Sequence, residues 1–184
     1  MKFDNEYFGM ETIFWMGVVE DRNDPIKMGR VKVRIYGWYS EELAKLPTSA
    51  LPWAQVVQQP TSAANGDIGH SPTGILEGTW VMGIFLDGNR AQQPLVLGTI
   101  SGIPQALADT TVGFNDPNGV YPQRTDEPDV NRLARNDTDF PHPVIQTKND
   151  ARTTSVSTAS GSTWDEPASA YAAEYPSNHV YESE

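Results

Sequence analysis

Three histidines, His70, His142 and His179, are the imidazoles available to this sequence of 184 residues. An acid–base pair or a metal centre built on them would need a partner group held beside each on a rigid element. None has a second histidine four residues away, and each lies in a polar or Gly/Pro/Ser-rich stretch. They read as surface histidines. The acidic pairs Glu41/Glu42 and Asp165/Glu166 read as solvated charge. The acids of DRNDPIKMGRV begin like a calcium loop, but the later glutamate that closes one is missing. No phosphate-cradling GxxxxGK[ST] or GxGxxG spacing occurs. With no cysteine in the chain, disulfides and thiolate metal sites are excluded. The sequence reads as a non-enzyme without a cofactor, metal or catalytic residue.

A different chemistry is suggested by GVVEDRNDPIKMGRVKVRIYGW, residues 17–38, where Arg30, Lys32 and Arg34 form a basic stripe followed by Tyr36, Trp38 and Tyr39. A positive groove with aromatic platforms is how single-stranded nucleic acids are held. The plainer alternative is that long basic side chains cover the solvent face of a half-buried strand and pair with nearby acids. Net charge is −11, and it is uneven. Residues 1–105 carry 8 Lys/Arg against 11 Asp/Glu; residues 106–184 carry 5 against 13. Both parts repel phosphate, so nucleic-acid binding is disfavoured.

The elements that must position these residues are short strands. Residues 14–20 (FWMGVVE), 31–36 (VKVRIY), 53–57 (WAQVV), 78–86 (GTWVMGIFL) and 94–100 (PLVLGTI) alternate or run apolar between turn residues. Residues 21–25 (DRNDP) and 87–93 (DGNRAQQ) supply turns, and Gly29 is expected at positive φ. Residues 41–46 are the one helical candidate, between Ser40 and Pro47. Residues 58–73 form a long Gly/Ser/Asn/Pro-rich surface loop. Gly17, Gly83 and Gly98 lie mid-strand, where a barrel must bend. The expected core is Val31, Val33, Ile35, Val56, Trp80, Met82 or its neighbours, Leu95 and Leu97. Five strands and one short helix point to an all-β fold: a small five-stranded Greek-key barrel of the oligonucleotide/oligosaccharide-binding (OB) kind, with a long, mostly irregular C-terminal extension.

The boundaries follow composition. Residues 1–105 are the barrel domain. Residues 106–170, with TTSVSTASGST, form an extended polar arm that cannot repay its ordering entropy alone. Residues 171–184 (YAAEYPSNHVYESE) regain aromatics and read as an extended segment. No secretory leader or membrane span is seen: an apolar core is missing after Lys2, and no window reaches about 18 apolar residues. The chain is expected to be soluble, without stable membrane binding.

Four stretches in order, GVVEDRNDPIKMGRVKVRIYG, LPWAQVVQQPTSAA, GILEGTWVMGIFLDG and PLVLGTISGI, resemble the N-terminal OB domain of the baseplate central hub and tail-lysozyme proteins of T-even-type contractile-tailed phages. The similarity continues through GFNDPNGVYPQR, covering residues 13–124. EPASAYAAEYPSNHVYESE resembles the start of that family's spike, an architecture shared with the VgrG group of secretion-system spikes. The resemblance implies a virion protein of the tail baseplate, assembled in the host cytoplasm. It further implies a homotrimer around the tail axis, a trimeric hub protein above, and a β-helical spike below, on the same or a separate chain. The family's inserted lysozyme domain needs on the order of 150 residues. Only residues 125–164, polar and Ser/Thr-rich, separate the two matching parts, so lytic activity is expected to be absent. The expected role is structural, joining the tail tube and hub to the membrane-piercing spike. An OB module for single-stranded nucleic acid or saccharide is the alternative. Residues expected at partner interfaces are Lys32, Arg34, Tyr36 and Trp38 on the barrel, and Tyr171, Tyr175, Val180 and Tyr181 on the arm.

Overall fold

Alternation in VKVRI and in FWMGVV makes a hairpin: β1 (Ile13–Asp21) pairs antiparallel with β2 (Val31–Ile35), Gly17 opposite Ile35 and Val19 opposite Val33. The computed structural model describes residues 12–71, 73–113, 125–135, 155–157, 163–165 and 175–181. The chain forms two compact units, Met1–Glu127 and Pro128–Glu184.

In the first unit, β3 (Trp53–Val56) pairs with β2 and runs parallel to β5 (Pro94–Ile100), while β4 (Trp80–Phe85) joins β5 to β1. The order β1-β2-β3-β5-β4 closes into a barrel, as the sequence led us to expect of an OB fold. The first turn is built on carboxylates. Asp21 Oδ1 accepts the Asn23 N–H, and Asp24 accepts the N–H groups of Ile26, Met28 and Arg30. Gly29 has the expected positive φ of 74°. Between β4 and β5 a single 3-10 turn, Gly88–Arg90, is tied by Asp87, whose carboxylate accepts the N–H groups of Gln92 and Gln93.

The core is filled by Trp15 and Val19 of β1, Val31, Val33 and Ile35 of β2, Ala54, Val81, Phe85 and Val96. Val56 packs at its edge, as expected. On β4 the core position falls on Val81, a neighbour of Met82, while on β5 the inward phase is one residue off the expectation. Val81 and Val96 are buried, whereas Met82 and Leu97 are exposed and Trp80 and Leu95 half-buried. Glycines let the wall bend: a Cβ on Gly17 would overlap the carbonyl of Arg34, and one on Gly83 would overlap Leu95 and the Trp15 ring.

The helix expected over 41–46 is replaced by turns, with the N–H groups of both Lys45 and Leu46 donating to Glu42 O, followed by a 3-10 turn at Thr48–Ala50. Beyond β5, Gly113 N–H donates to Glu41 O at 2.9 Å and Val112 bridges to Glu42, so residues 109–113 return to the barrel.

In the second unit the described residues form one α-helical turn, α1 (Arg132–Arg135), and an antiparallel pair, β6 (Ser155–Ser157) with β7 (Thr163–Asp165). No helix among the described residues is long and apolar enough to cross a membrane.

Candidate functional site

A β-bulge at Glu20 sets up a densely bonded cluster on the barrel. Val19 pairs with Val33 but Asp21 pairs with Lys32, so Glu20 is the extra residue, and a bulge re-aims its side chain. Its carboxylate meets the Arg34 guanidinium from the neighbouring strand. Arg34 Nε donates to Oε1 and Nη2 donates to Oε2 at 2.9 Å. The remaining Arg34 donors reach backbone carbonyls of the β2–β3 connection, Ser40 O and Leu46 O, the latter at 2.8 Å. Thr48 Oγ1 donates to Glu20 Oε2 at 2.8 Å. Both charged side chains are 0% exposed. Gly113 seals the cluster, since a Cβ there would overlap Arg34 and Glu20.

Lys32 continues the pattern. Its Nζ donates to Ser49 O at 2.7 Å and Thr48 O at 3.2 Å, and lies 5.0 Å from the Trp53 ring centre. Arg30, also over Trp53, donates to Asp24 Oδ1 from Nη2 at 2.7 Å and holds that carboxyl well below its ordinary value. The stripe therefore lies differently from the expectation of an outward interface. Lys32 and Arg34 are buried within their own chain, where a buried cation must be paired and fully hydrogen-bonded. They fasten the β2–β3 connection to the barrel wall.

The aromatic members remain outside. Tyr36 and Trp38 are exposed, Tyr36 stacked on Trp80 at 6.1 Å between ring centres and Trp38 edge-on to Phe85 at 5.1 Å. Tyr39 turns inward instead, donating its hydroxyl to Ala91 O at 2.5 Å; burial, with Asp87 nearby, pushes the phenol up to about 12. On the arm, Tyr175 and Tyr181 are exposed and Val180 half-buried, while Tyr171 lies outside the described residues. His142 does too; His70 and His179 are exposed. Among the described residues no cluster of His, Cys, Asp or Glu could hold a metal ion.

Sequence reasoning missed Glu20, Thr48 and Gly113. The one available signal was Glu20 itself, a carboxylate closing an apolar run opposite a basic strand. What the arrangement can do is hold and present surface.

The fold and the sequence comparisons agree. A family profile described as Gp5 N-terminal OB domain matches residues 38–178. Protein Gp5 of Vibrio phage KVP40 is 40% identical over 203 residues, covering 93% of this chain and 48% of the relative. The pre-baseplate central spike protein Gp5 of Enterobacteria phage T4 is 47% identical over 116 residues, covering 60% of this chain and 20% of the relative. The chain thus spans about half, or less, of the length of these relatives. A match over most of the chain, on a closed five-stranded barrel of OB order, places it by descent: the chain belongs to the Gp5 N-terminal OB domain family.

Proposed function

We propose that this chain is a structural component of a contractile phage tail baseplate, acting as the barrel portion of the central spike assembly. The observation that carries this reading is the 47% identity to a pre-baseplate central spike protein across 116 residues. In this reading three copies stand around the tail axis, bound above to a trimeric hub protein and below to a β-helical spike. Residues 1–105 make the trimer body, residues 106–170 an arm, and residues 171–184 the junction with the spike. Tyr36 and Trp38 on the barrel face one partner surface, and Tyr171, Tyr175, Val180 and Tyr181 on the arm face another; Lys32 and Arg34 fasten the β2–β3 connection next to Tyr36 and Trp38.

The role is mechanical. Arg34 is buried in its pair with Glu20 and Lys32 is buried against backbone carbonyls, so neither offers β2 a charge for a phosphate backbone, which argues against the nucleic-acid alternative. The 40 residues at 125–164 are too few for an inserted lysozyme domain, so the purified chain is expected to leave cell-wall murein intact.

The test is assembly. The full chain is expected to sediment as a trimer and to co-purify with the hub protein of the same phage and, where the spike is a separate chain, with the spike. Removing residues 171–184 should release the spike while the barrel still melts cooperatively. A chain that stays monomeric and captures neither protein would defeat the proposal, as would salt-sensitive binding to single-stranded oligonucleotide.

A further inference from the structure

Within the connection between β3 and β4, residues 62–70 fold back on themselves. Asn65 O accepts the Ile68 N–H at 3.1 Å, and the same two residues form an isolated antiparallel bridge. Between them Gly66 and Asp67 both have positive φ, 57° and 65°, as a tight type I′ turn requires. Behind the turn, Ser62 Oγ accepts the His70 N–H at 2.9 Å, and a Cβ on Gly69 would overlap that hydroxyl. Asn65, Gly66, Asp67 and Ile68 are all exposed.

The turn sets a carboxamide beside a backbone amide with no side chain in the way. Among the described residues nothing accepts the Gly66 N–H and nothing holds the Asn65 side chain. The other described asparagines are each followed by a residue with a side chain, and most are tied. Asn23 Nδ2 donates to Asp21, and the next N–H, that of Asp24, donates to Arg22 O. The N–H after Asn89, that of Arg90, donates to Asp87 O, and Asn131 Oδ1 accepts the Ala134 N–H. Asp87–Gly88 has the same glycine, but there the carboxylate is buried and accepts the Gln92 and Gln93 N–H groups.

We propose that Asn65–Gly66 is a self-modification site, at which the folded chain turns an asparagine into aspartate and isoaspartate without an enzyme. The Gly66 nitrogen, on giving its proton to hydroxide or water, attacks Asn65 Cγ. The Cγ–Nδ2 bond breaks, Nδ2 leaves as ammonia, and a cyclic imide remains. Water then opens the ring at either carbonyl. One opening restores the ordinary main chain with an aspartate. The other carries the main chain through the former side chain, as isoaspartate. Glycine favours the closure because no Cβ crowds the attacking nitrogen. Either product adds a negative charge beside Asp67, in a chain already at −11. Isoaspartate also lengthens the main chain inside a turn closed by the Asn65–Ile68 bond, so that bond yields and the exposed Ile68 is re-aimed.

The test is to incubate the full folded chain in mildly alkaline buffer and map its tryptic peptides by mass spectrometry. Cleavage after Lys45, Arg90 and Arg124 separates Asn65 from the pair Asn118–Gly119, which lies outside the described residues. The peptide carrying Asn65 is expected to gain an acid there, located by fragmentation, at a rate that rises with hydroxide concentration. Part of the product should accept a methyl group from protein isoaspartyl methyltransferase, and the Ile68 N–H should exchange faster as that part accumulates. Asn65→Gln, whose longer side chain closes a ring far more slowly, should leave the peptide unchanged. A folded chain that keeps Asn65 intact while the same chain in denaturant loses it would show that the turn protects the residue, and would overturn the proposal. So would acid appearing sooner at Asn23 or Asn89 than at Asn65, or a methyl-accepting product that Asn65→Gln forms equally fast on this peptide.

Discussion

Glu20 and Arg34 face each other across the β1–β2 bulge as a two-pronged ion pair with no exposure to solvent, roofed by Gly113. A pair this deep gains little net stability, because the desolvation of two charges offsets their attraction. Removing one partner is another matter. Arg34→Met removes the counter-charge of the buried Glu20 carboxylate, to which Thr48 Oγ1 still donates, and should cost about 3–5 kcal/mol. The double variant Glu20→Met with Arg34→Met should lose clearly less than the two single losses added. Denaturant unfolding of all four proteins checks this. Single variants that unfold at the parent's midpoint would mean the pair is not formed.

The same cluster should fail from its lid. Gly113→Ala drives a methyl group into Arg34 and Glu20, so residues 109–113 must lift away. Overpacking of this sort costs about 1–3 kcal/mol. The effect should be local: the Gly113 N–H, bonded to Glu41 O, loses hydrogen-exchange protection while amides of β1 and β4 keep theirs. Retained protection at Gly113 would contradict the packing described.

Arg34 also shows where the sequence stops being readable. Alternation in VKVRI identifies the core residues Val31, Val33 and Ile35 and the opposite face of Lys32 and Arg34. It carries no information on whether the connection that follows the strand folds back over that opposite face. The β2–β3 connection does so by giving up carbonyls at Ser40, Leu46, Thr48 and Ser49 to the two cations. Residues 41–46 therefore settle as turns tied to the wall rather than as the free-standing helix their propensities favour. The phase of β4 was hidden for a related reason. WVMGIF is apolar on both faces, so periodicity cannot choose between Val81 and Met82, and the bulge between Met82 and Gly83 shifts the register again.

Gly83 and Gly98 look alike in sequence, each mid-strand, yet their surroundings predict opposite outcomes. A Cβ on Gly83 overlaps the Leu95 carbonyl and the Trp15 ring, neither of which can yield cheaply. A Cβ on Gly98 meets nothing within 4 Å. Gly83→Ala should therefore lose about 1–3 kcal/mol or fail to fold, while Gly98→Ala stays near the parent. Thermal melts compare them directly, and equal losses would mean Trp15 does not sit against Gly83.

The first turn offers a pH test through Asp24. Its carboxylate accepts the Arg30 guanidinium and three backbone N–H groups, which hold it well below the ordinary value of 3.8, the arginine being the largest cause. A carboxyl with a depressed folded-state pKa contributes stability that is fully present above the unfolded value. That contribution drains away as pH falls below that value towards the folded one. Asp24→Asn cannot reproduce it, since a neutral amide gives Arg30 no counter-charge. The variant should accordingly unfold earlier than the parent at pH 7, and the gap between their denaturant midpoints should narrow as pH drops from about 5 towards 2. Because Asp24 organises the turn carrying the exposed Ile26 and Met28, the loss should also appear as faster exchange of the Ile26, Met28 and Arg30 amides. A gap that holds constant across this acid range would show that the carboxylate is not what fastens the turn.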